Sequence, residues 1–389
     1  MSITLKQLYN ESKNKYRLEL IAGNAGICNI VSWLHFMEDE TTLDFIRGNE
    51  LVVTTGLGAK NERWLNDFIK GLIIRNASGL MVNLGPYISV INQDIINLCN
   101  DNNFPLLTIP WDIHLVDIMQ NYCNNIMEAE QHSSNICAAF FNAVFSPKQK
   151  DTYIPRLKQE GYDLSGKFLV ISIDLDKSIY KKINEIKLKN FIMRIENTLN
   201  STQFKYSILN QNNEFNIIIN FIDQQNSLAC LKDHIVNNLK NFSQIKHIGI
   251  SSIAVSIENL HKAYNEASDA IYSGIKDDKF IVYYDDMGID KIILNISDNK
   301  ILYDIYNKYL GVIHDYDKAH NTDYENTLKI YLKNNCSIQA VSEVTYTHRN
   351  TINYRIKKIK SILNSELDDS EEKFNYMLAF YIKEILDMN

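Results

Sequence analysis

The stretch Asn334–Leu363, NNCSIQAVSEVTYTHRNTINYRIKKIKSIL, constrains the fold more tightly than any other part of the 389-residue chain. Ile352, Ile356, Ile359 and Leu363 stand at i, i+4, i+7 and i+11, a spacing that lines one face of a helix. Ser337 is a good N-cap for a shorter helix, Ile338–Val344, and Thr345–Thr347 reads as a break whose last residue caps the next helix. Two helices joined by a tight turn are therefore expected. Rotation by about 100° per residue sets Asn350, Asn353, Tyr354, Lys357 and Ser361 opposite the apolar stripe, with Arg349 and Arg355 flanking it.

Charge separates sharply here. Thr345–Leu363 holds five Lys/Arg and no acid, whereas Glu366–Glu372 holds five acids in seven residues. A short helix followed by a longer one with amide, phenol and basic groups on its free side meets the requirements of a major-groove reader. Asn bonds adenine in bidentate fashion, Arg forks onto guanine and Lys neutralises phosphate. The bland alternative is a solvated amphipathic helix. Over the whole chain, 40 Lys+Arg against 47 Asp+Glu give a net charge of −7. That balance excludes a surface coated by nucleic acid and leaves only a local basic unit.

The remaining composition narrows the class. Apolar runs such as Ile217–Ile219 and Leu51–Val53 fall far short of the roughly 20 residues of a membrane span. The start, Met1–Arg17, is polar and charged, so a cytoplasmic protein is expected. Six scattered cysteines without a C-x-x-C pair suggest buried thiols, with no disulfide framework or zinc ribbon.

Along the chain, helix-like Thr4–Leu20 precedes β-prone Asn29–His35 and Glu50–Thr55. Helix Trp64–Arg75, strand Gly79–Leu84, helix Ile91–Asn100 and strand Pro105–Ile109 follow, an α/β order. From Asp117 to about Phe145 apolar residues recur at helical spacing around a polar interruption, Glu128–Asn135. This stretch reads as an inter-domain connector, its stripe serving as core or as a dimer contact. Strand Phe168–Leu175, helix Glu185–Asn200, hairpin Phe204–Phe221, helix Ser227–Asn241, strand Ile245–Ile253, helix Ile257–Ile275 and strand Phe280–Tyr284 give the α+β ferredoxin-like order. From about Asp290 only helical spacing remains, as at Ile301, Ile305 and Tyr309.

The run His348-Arg349-Asn350-Thr351-Ile352-Asn353-Tyr354-Arg355-Ile356 resembles the H-R-N-T-L-x-Y-R-L signature in the C-terminal helix-turn-helix of PucR-type (purine catabolism regulator) transcription factors. Leu367-Asp368-Asp369 with Glu371 and the helix Phe374–Leu386 resembles that family's closing element. Thr345 and Thr347 stand where apolar residues are usual, and Asn353 where Arg is common. The resemblance implies that Arg349, Asn350, Thr351, Asn353, Tyr354, Arg355, Lys357 and Lys358 meet double-stranded operator DNA.

It extends to the N-terminus, where Ile21-Ala22-Gly23, Val31–His35 and above all Arg47–Gly56 are similar to the PucR-type sensory domain, which is thought to sense a small metabolite. The residues have a logic of their own. A buried strand, Leu51–Val53, emerges into Thr54-Thr55-Gly56, whose hydroxyls and bare backbone can bond a ligand, with Arg47, Asn49 and Glu50 at the other end. Polar groups at strand ends also serve as turn-makers, so the residues alone leave both readings open.

The ferredoxin-like layout raises the question of catalysis, since nucleotide cyclases share it. At the corresponding hairpin the chain has Gln211-Asn212-Asn213-Glu214-Phe215, retaining only the last two residues of Gly-Gly-Asp-Glu-Phe. Side chains replace the glycines that admit phosphates, and Asn213 replaces the metal-binding carboxylate. Asp174 and Asp176 remain, two apart at a strand end, where carboxylates are usually solvated turn residues. His247-Ile248-Gly249-Ile250-Ser251 resembles the degenerate cyclase-like domain of such regulators, which implies transmission and dimerisation without catalysis. No P-loop, G-x-S-x-G or H-E-x-x-H occurs.

The sequence thus predicts a non-enzymatic, ligand-responsive transcription regulator, by family habit an activator of a catabolic or nitrogen-metabolism operon, without cofactor or metal. Its expected parts are a sensory domain (1–125), a helical connector (126–165), a degenerate cyclase-like domain (166–289) and an all-α helix-turn-helix domain (290–389). Operator DNA, a metabolite effector and further copies of the chain, as a homodimer or larger homo-oligomer, are the expected partners. A nucleotide-acting cyclase-like enzyme, or a ligand-binding scaffold whose DNA-binding unit has lapsed, are the alternatives.

Overall fold

The computed structural model describes residues 2–59, 63–176, 191–193, 195–196, 198–199, 204–211, 214–221, 236–240 and 242–387. Two compact units result, residues 1–246 with 252–265, and residues 247–251 with 266–389.

In the first unit, helix α1 (Leu5–Ser12) opens on a capping box in which Thr4 and Gln7 satisfy each other's backbone N–H groups. The expected helix to Leu20 stops early. Arg17 adopts a left-handed φ of 48°, and Glu19–Ala22 becomes strand β1, paired antiparallel with β5. Strands β2 (Trp33–Phe36), β3 (Glu50–Thr54), β4 (Gly79–Leu84) and β5 (Leu106–Pro110) are mutually parallel, in the order β1-β5-β4-β3-β2. Helices α2 (Trp64–Ile74) and α3 (Gln93–Asp101) connect β3 to β4 and β4 to β5.

Alternation along the strands divides two cores. Val52, Leu80, Val82 and Leu106 pack with Phe68, Ile69, Leu72 and Ile95 of α2 and α3. Leu51, Val53, Met81, Leu107 and Ile109 pack with Leu5 and Leu8 of α1 and with Ile118, Tyr122 and Ile126 of the long helix α4 (Leu115–Phe145). Strands buried on both faces explain the continuous apolar runs in the sequence.

Helix α4 runs unbroken through the polar stretch that the sequence suggested as an interruption. Its stripe is core. The first half joins α1, where Ser12 Oγ and the Tyr122 hydroxyl share a buried hydrogen bond of 2.6 Å. In the second half, Phe140 meets Tyr162 and Phe168 edge-on, at ring distances of 5.0 and 6.5 Å. A dimer contact through this stripe is therefore not available, because the stripe is already covered within the chain.

After the short helix α5 (Ile154–Gln159), strand β6 (Lys167–Leu175) pairs antiparallel with β8 (Glu214–Phe221), which pairs with β7 (Lys205–Gln211). Most of the expected helices at 185–200 and 227–241, and the hairpin residues Asn212 and Asn213, lie outside the described residues. Strand β9 (Ile245–Ile250) is followed by helix α6 (Leu260–Asp277) and by strand β10 (Ile281–Tyr283), which runs parallel to β9. Of the cysteines described, only Cys99 is buried, with its thiol pushed up to about 12 by burial. Cys28 is exposed and Cys123, Cys137 and Cys336 are half-buried, which corrects the expectation of uniformly buried thiols. Among the described residues no helix is long and apolar enough to cross a membrane.

The second unit is helical beyond β10. Helices α7 (Asp290–Leu294), α8 (Asn299–Tyr306), α9 (Val312–His320), α10 (Tyr324–Lys333), α11 (Ile338–Val344), α12 (Arg349–Leu363) and α13 (Ser370–Leu386) follow one another. A π-turn at Asn307–Gly311 joins α8 to α9 and shifts the apolar register. Leu302, Leu310 and Ile313 are the buried positions there, while Ile301 is exposed.

Candidate nucleic-acid interface

Helices α11 and α12 form the expected pair. Ser337 Oγ accepts the Ala340 N–H at 3.3 Å to start α11. His348, rather than Thr347, caps α12, with Nδ1 accepting the Asn350 N–H at 3.2 Å. Thr347 instead belongs to the turn, because its N–H reaches Ser342 O at 3.1 Å and its carbonyl accepts from Ser342 Oγ at 2.6 Å. Thr345 Oγ1 donates to Val341 O at 2.7 Å. The two threonines that depart from the family pattern thus anchor the turn through backbone hydrogen bonds.

Ile352, Ile356 and Ile359 are buried against Leu328, Tyr331, Leu332, Val341, Ala379 and Phe380. Arg349, beside the stripe, and Asn350, Thr351, Asn353, Tyr354 and Lys357 are all exposed. Arg355 and Lys358 are half-buried and lean back onto neighbouring helices. The Arg355 guanidinium donates to Thr327 Oγ1 on α10 at 3.5 Å. Lys358 Nζ lies 5.8 Å above the ring of Tyr316, which itself stacks on His320 and Tyr324 at 4.0 and 5.8 Å. These supports sit more than twenty residues away in sequence and left no local signal.

Three of the five acids after α12 start the next helix. Asp369 caps α13 by accepting the Glu372 N–H at 2.8 Å, and Glu371 and Glu372 occupy the first turn, where the helix dipole favours negative charge.

The six expected ligand residues of the N-terminal domain divide between the two ends of β3. At the C-terminal end the donors are already engaged by Glu38. Its carboxylate accepts from Thr54 Oγ1 (3.0 Å), Thr55 N–H (2.7 Å), Thr55 Oγ1 (2.7 Å) and Leu57 N–H (2.9 Å). Gly56 stands between them at φ +79°, where a Cβ would lie 2.4 Å from the Ile88 side chain. Glu38→Ala, which strips four donors of a charged acceptor, is expected to lower the stability of this unit by about 2 kcal/mol. Tryptophan emission in urea reads the shift, since all three tryptophans precede residue 112.

At the other end a cleft of about 890 Å³ is lined by Trp33, His35, Phe45, Arg47 and Glu50, among others. Trp33 pairs with Glu50 across the β2–β3 ladder, so His35, two residues on, shares their face. The Glu50 side chain is nearly buried, accepts the Arg47 N–H at 3.2 Å and lies 3.9 Å from His35 Nδ1. Asn49, at φ +59°, turns into a second cleft of about 680 Å³ beside Asn76 and Asn103.

In the middle region Asp174 faces Glu214 across the β6–β8 ladder, and Asp176 lies 3.4 Å from Lys246 Nζ. Among the described residues no group of three metal-binding side chains converges.

Comparison with known proteins accords with this layout. Residues 8–126 match the purine catabolism regulatory protein-like family, residues 148–272 a GGDEF-like domain and residues 324–382 the PucR C-terminal helix-turn-helix domain. The purine catabolism regulatory protein of Bacillus subtilis is 22% identical over an alignment that covers 94% of this chain and 97% of the relative. The proline-responsive transcriptional activator PutR of the same organism is 29% identical over 39% of each chain. The DNA-binding transcriptional activator AdeR, also from that organism, is 23% identical over 39% of this chain and 40% of the relative. With three domain matches in this order and a relative aligned over nearly its full length, the chain belongs to the PucR-type family of DNA-binding transcription regulators.

Proposed function

We propose that α12 is the recognition helix, with Asn350, Asn353 and Tyr354 toward base edges and Arg349, Thr351 and Lys357 toward bases or phosphates. Arg355 and Lys358 set the helix on its supports and reach the backbone at its flank. The observation that carries this reading is the division of α12 into a fully buried isoleucine stripe and an acid-free exposed face. Lys357→Ala is expected to weaken binding to any duplex and to reduce the salt slope by about one, read by fluorescence anisotropy from low to moderate salt.

The N-terminal domain is proposed to sense a small metabolite in the cleft lined by Trp33, Arg47 and Glu50. The names of the relatives, one proline-responsive and one concerned with purine catabolism, make proline and purines the first compounds to try. Thr54, Thr55 and Gly56 then serve to hold Glu38, and Asn49 to shape the neighbouring turn. Titration with proline or a purine is expected to change tryptophan emission through Trp33, and Glu50→Gln to remove the change. A response that survives this substitution would move the effector elsewhere.

The finer picture is a cytoplasmic activator, a homodimer or larger homo-oligomer, with domain limits near 125, 165 and 289. Its middle domain is proposed to be ferredoxin-like and to transmit rather than catalyse. Only Glu214 and Phe215 of a cyclase hairpin remain, and the neighbouring carboxylate Asp176 lies beside Lys246. Incubation with Mg²⁺ and GTP or ATP is expected to give no turnover, and turnover abolished by Glu214→Ala would contradict the assignment.

A further inference from the structure

We infer that Tyr346, in the turn between α11 and α12, is a DNA contact that rests against the sugar-phosphate backbone beside the groove entered by α12. The inference builds on the reading of α12 as the recognition helix. Tyr346 combines two costly features, since its side chain is 98% exposed and its backbone is left-handed at φ +49°. For a bulky residue that conformation is unfavourable, and Gly or Asn would fill it at lower cost.

Elsewhere among the described residues the chain follows that economy. The left-handed positions 49, 76, 103, 321, 335 and 364 are Asn and 278 is Asp. Where another residue occurs, its side chain is engaged. Leu367 is buried in the helical core, Cys336 packs partly against it, and Arg17 pairs with Asp112. Among the described residues the 98% exposed Tyr346 ring has no such anchorage, so folding of the unit does not account for it.

The turn is also held rigidly. Thr345 is fixed to Val341 O, Thr347 to Ser342 in both directions, and Thr347 Oγ1 to Thr345 O at 3.1 Å. An exposed phenol is thus presented on a stiff support two residues before the cap of α12, at the same end as Arg349, Asn350 and Thr351. The N-terminus of a helix favours phosphate through its dipole and free N–H groups. A phenol O–H donating to a phosphate oxygen, with the ring on a deoxyribose, matches the class of contact that sets register without reading sequence.

The test uses the full chain and two labelled duplexes, one from upstream of its own gene and one of scrambled sequence. Tyr346→Asn supplies a residue suited to the left-handed turn, and Tyr346→Phe removes only the hydroxyl. Tyr346→Asn is expected to leave the thermal midpoint unchanged or raised while weakening binding to both duplexes about five- to tenfold. The salt slope stays the same because no charge is lost. Tyr346→Phe is expected to lose part of that affinity. Wild-type affinity in Tyr346→Asn would overturn the inference, as would a loss of affinity that appears only with a lowered thermal midpoint. Asn350→Ala, run in parallel, separates the two readings. Undiminished preference for the upstream duplex in that variant would overturn α12 as the recognition helix, whereas lost preference there with unchanged Tyr346→Asn binding would overturn the tyrosine contact alone.

Discussion

Lys276→Met is expected to destabilise the C-terminal unit by about 3 kcal/mol, because breaking a buried ion pair from one side leaves a charge without compensation. Lys276 Nζ and Asp290 Oδ2 are 2.5 Å apart, and their side chains are 9% and 7% exposed. Asp290 Oδ2 also accepts from Ser273 Oγ at 3.1 Å, while its Oδ1 is buried with no hydrogen-bond partner among the described residues. Removing the ammonium strands this carboxylate. Glu384, 3.9 Å from the same ammonium, is less affected. Burial pushes its carboxyl upward, but the hydrogen bond from Lys329 and the charges of Lys329, Lys333 and Lys276 outweigh that and hold it below its usual range. The double variant Lys276→Met/Asp290→Leu is expected to recover most of the loss, since neither charge then remains to be solvated. Far-UV circular dichroism during thermal unfolding measures both. A double variant no more stable than Lys276→Met would show that the pair contributes through packing.

Ile356→Ala is the second large effect. The side chain is 3% exposed and sits among Leu328, Val341, Ala379 and Phe380, so its truncation leaves a cavity between α12 and the helices beneath it. Large-to-small substitutions of this kind cost about 2–5 kcal/mol, a major share of the 5–15 kcal/mol of a typical domain. Helical signal is expected to melt earlier, and, if α12 is the proposed reader, affinity for any duplex to fall because that helix loses its seat. Tryptophan emission at 25 °C is expected to remain native, since Trp33, Trp64 and Trp111 all lie outside this unit. Unaltered melting together with unaltered DNA binding would contradict the buried placement of the stripe.

The features legible in the sequence were those fixed by local periodicity. Gly79–Leu84 was located to the residue because a strand buried on both faces must be continuously apolar. Helix Ile338–Val344 was equally clear from its cap and its spacing. Features decided by distant partners were not. The helical pattern of Thr4–Leu20 gives no sign that Glu19–Ala22 is claimed by β5 from almost ninety residues away. The helical spacing of Ile301, Ile305 and Tyr309 marks a helix, but the π-turn at Asn307–Gly311 that ends it has no sequence signature.

The same division holds at the sites. The exposed face of α12 followed from rotation about its axis, but the inward lean of Arg355 and Lys358 depends on Thr327 and Tyr316. The choice between Thr347 and His348 as cap turned on Ser342, which draws Thr347 into the turn. Thr54 and Thr55 had the chemistry of a ligand site, and the ligand they hold here is Glu38, sixteen residues upstream of Thr54.

The central claim is that α12 reads DNA sequence. Its most direct measurement is the ratio of affinities for the upstream duplex and a scrambled one, for the wild-type chain and for Asn350→Ala at one fixed salt concentration. A bidentate contact from Asn350 predicts that the ratio falls by about 5- to 150-fold, matching a loss of 1–3 kcal/mol, with the scrambled affinity and the thermal midpoint unchanged. An undiminished ratio in Asn350→Ala would contradict the account.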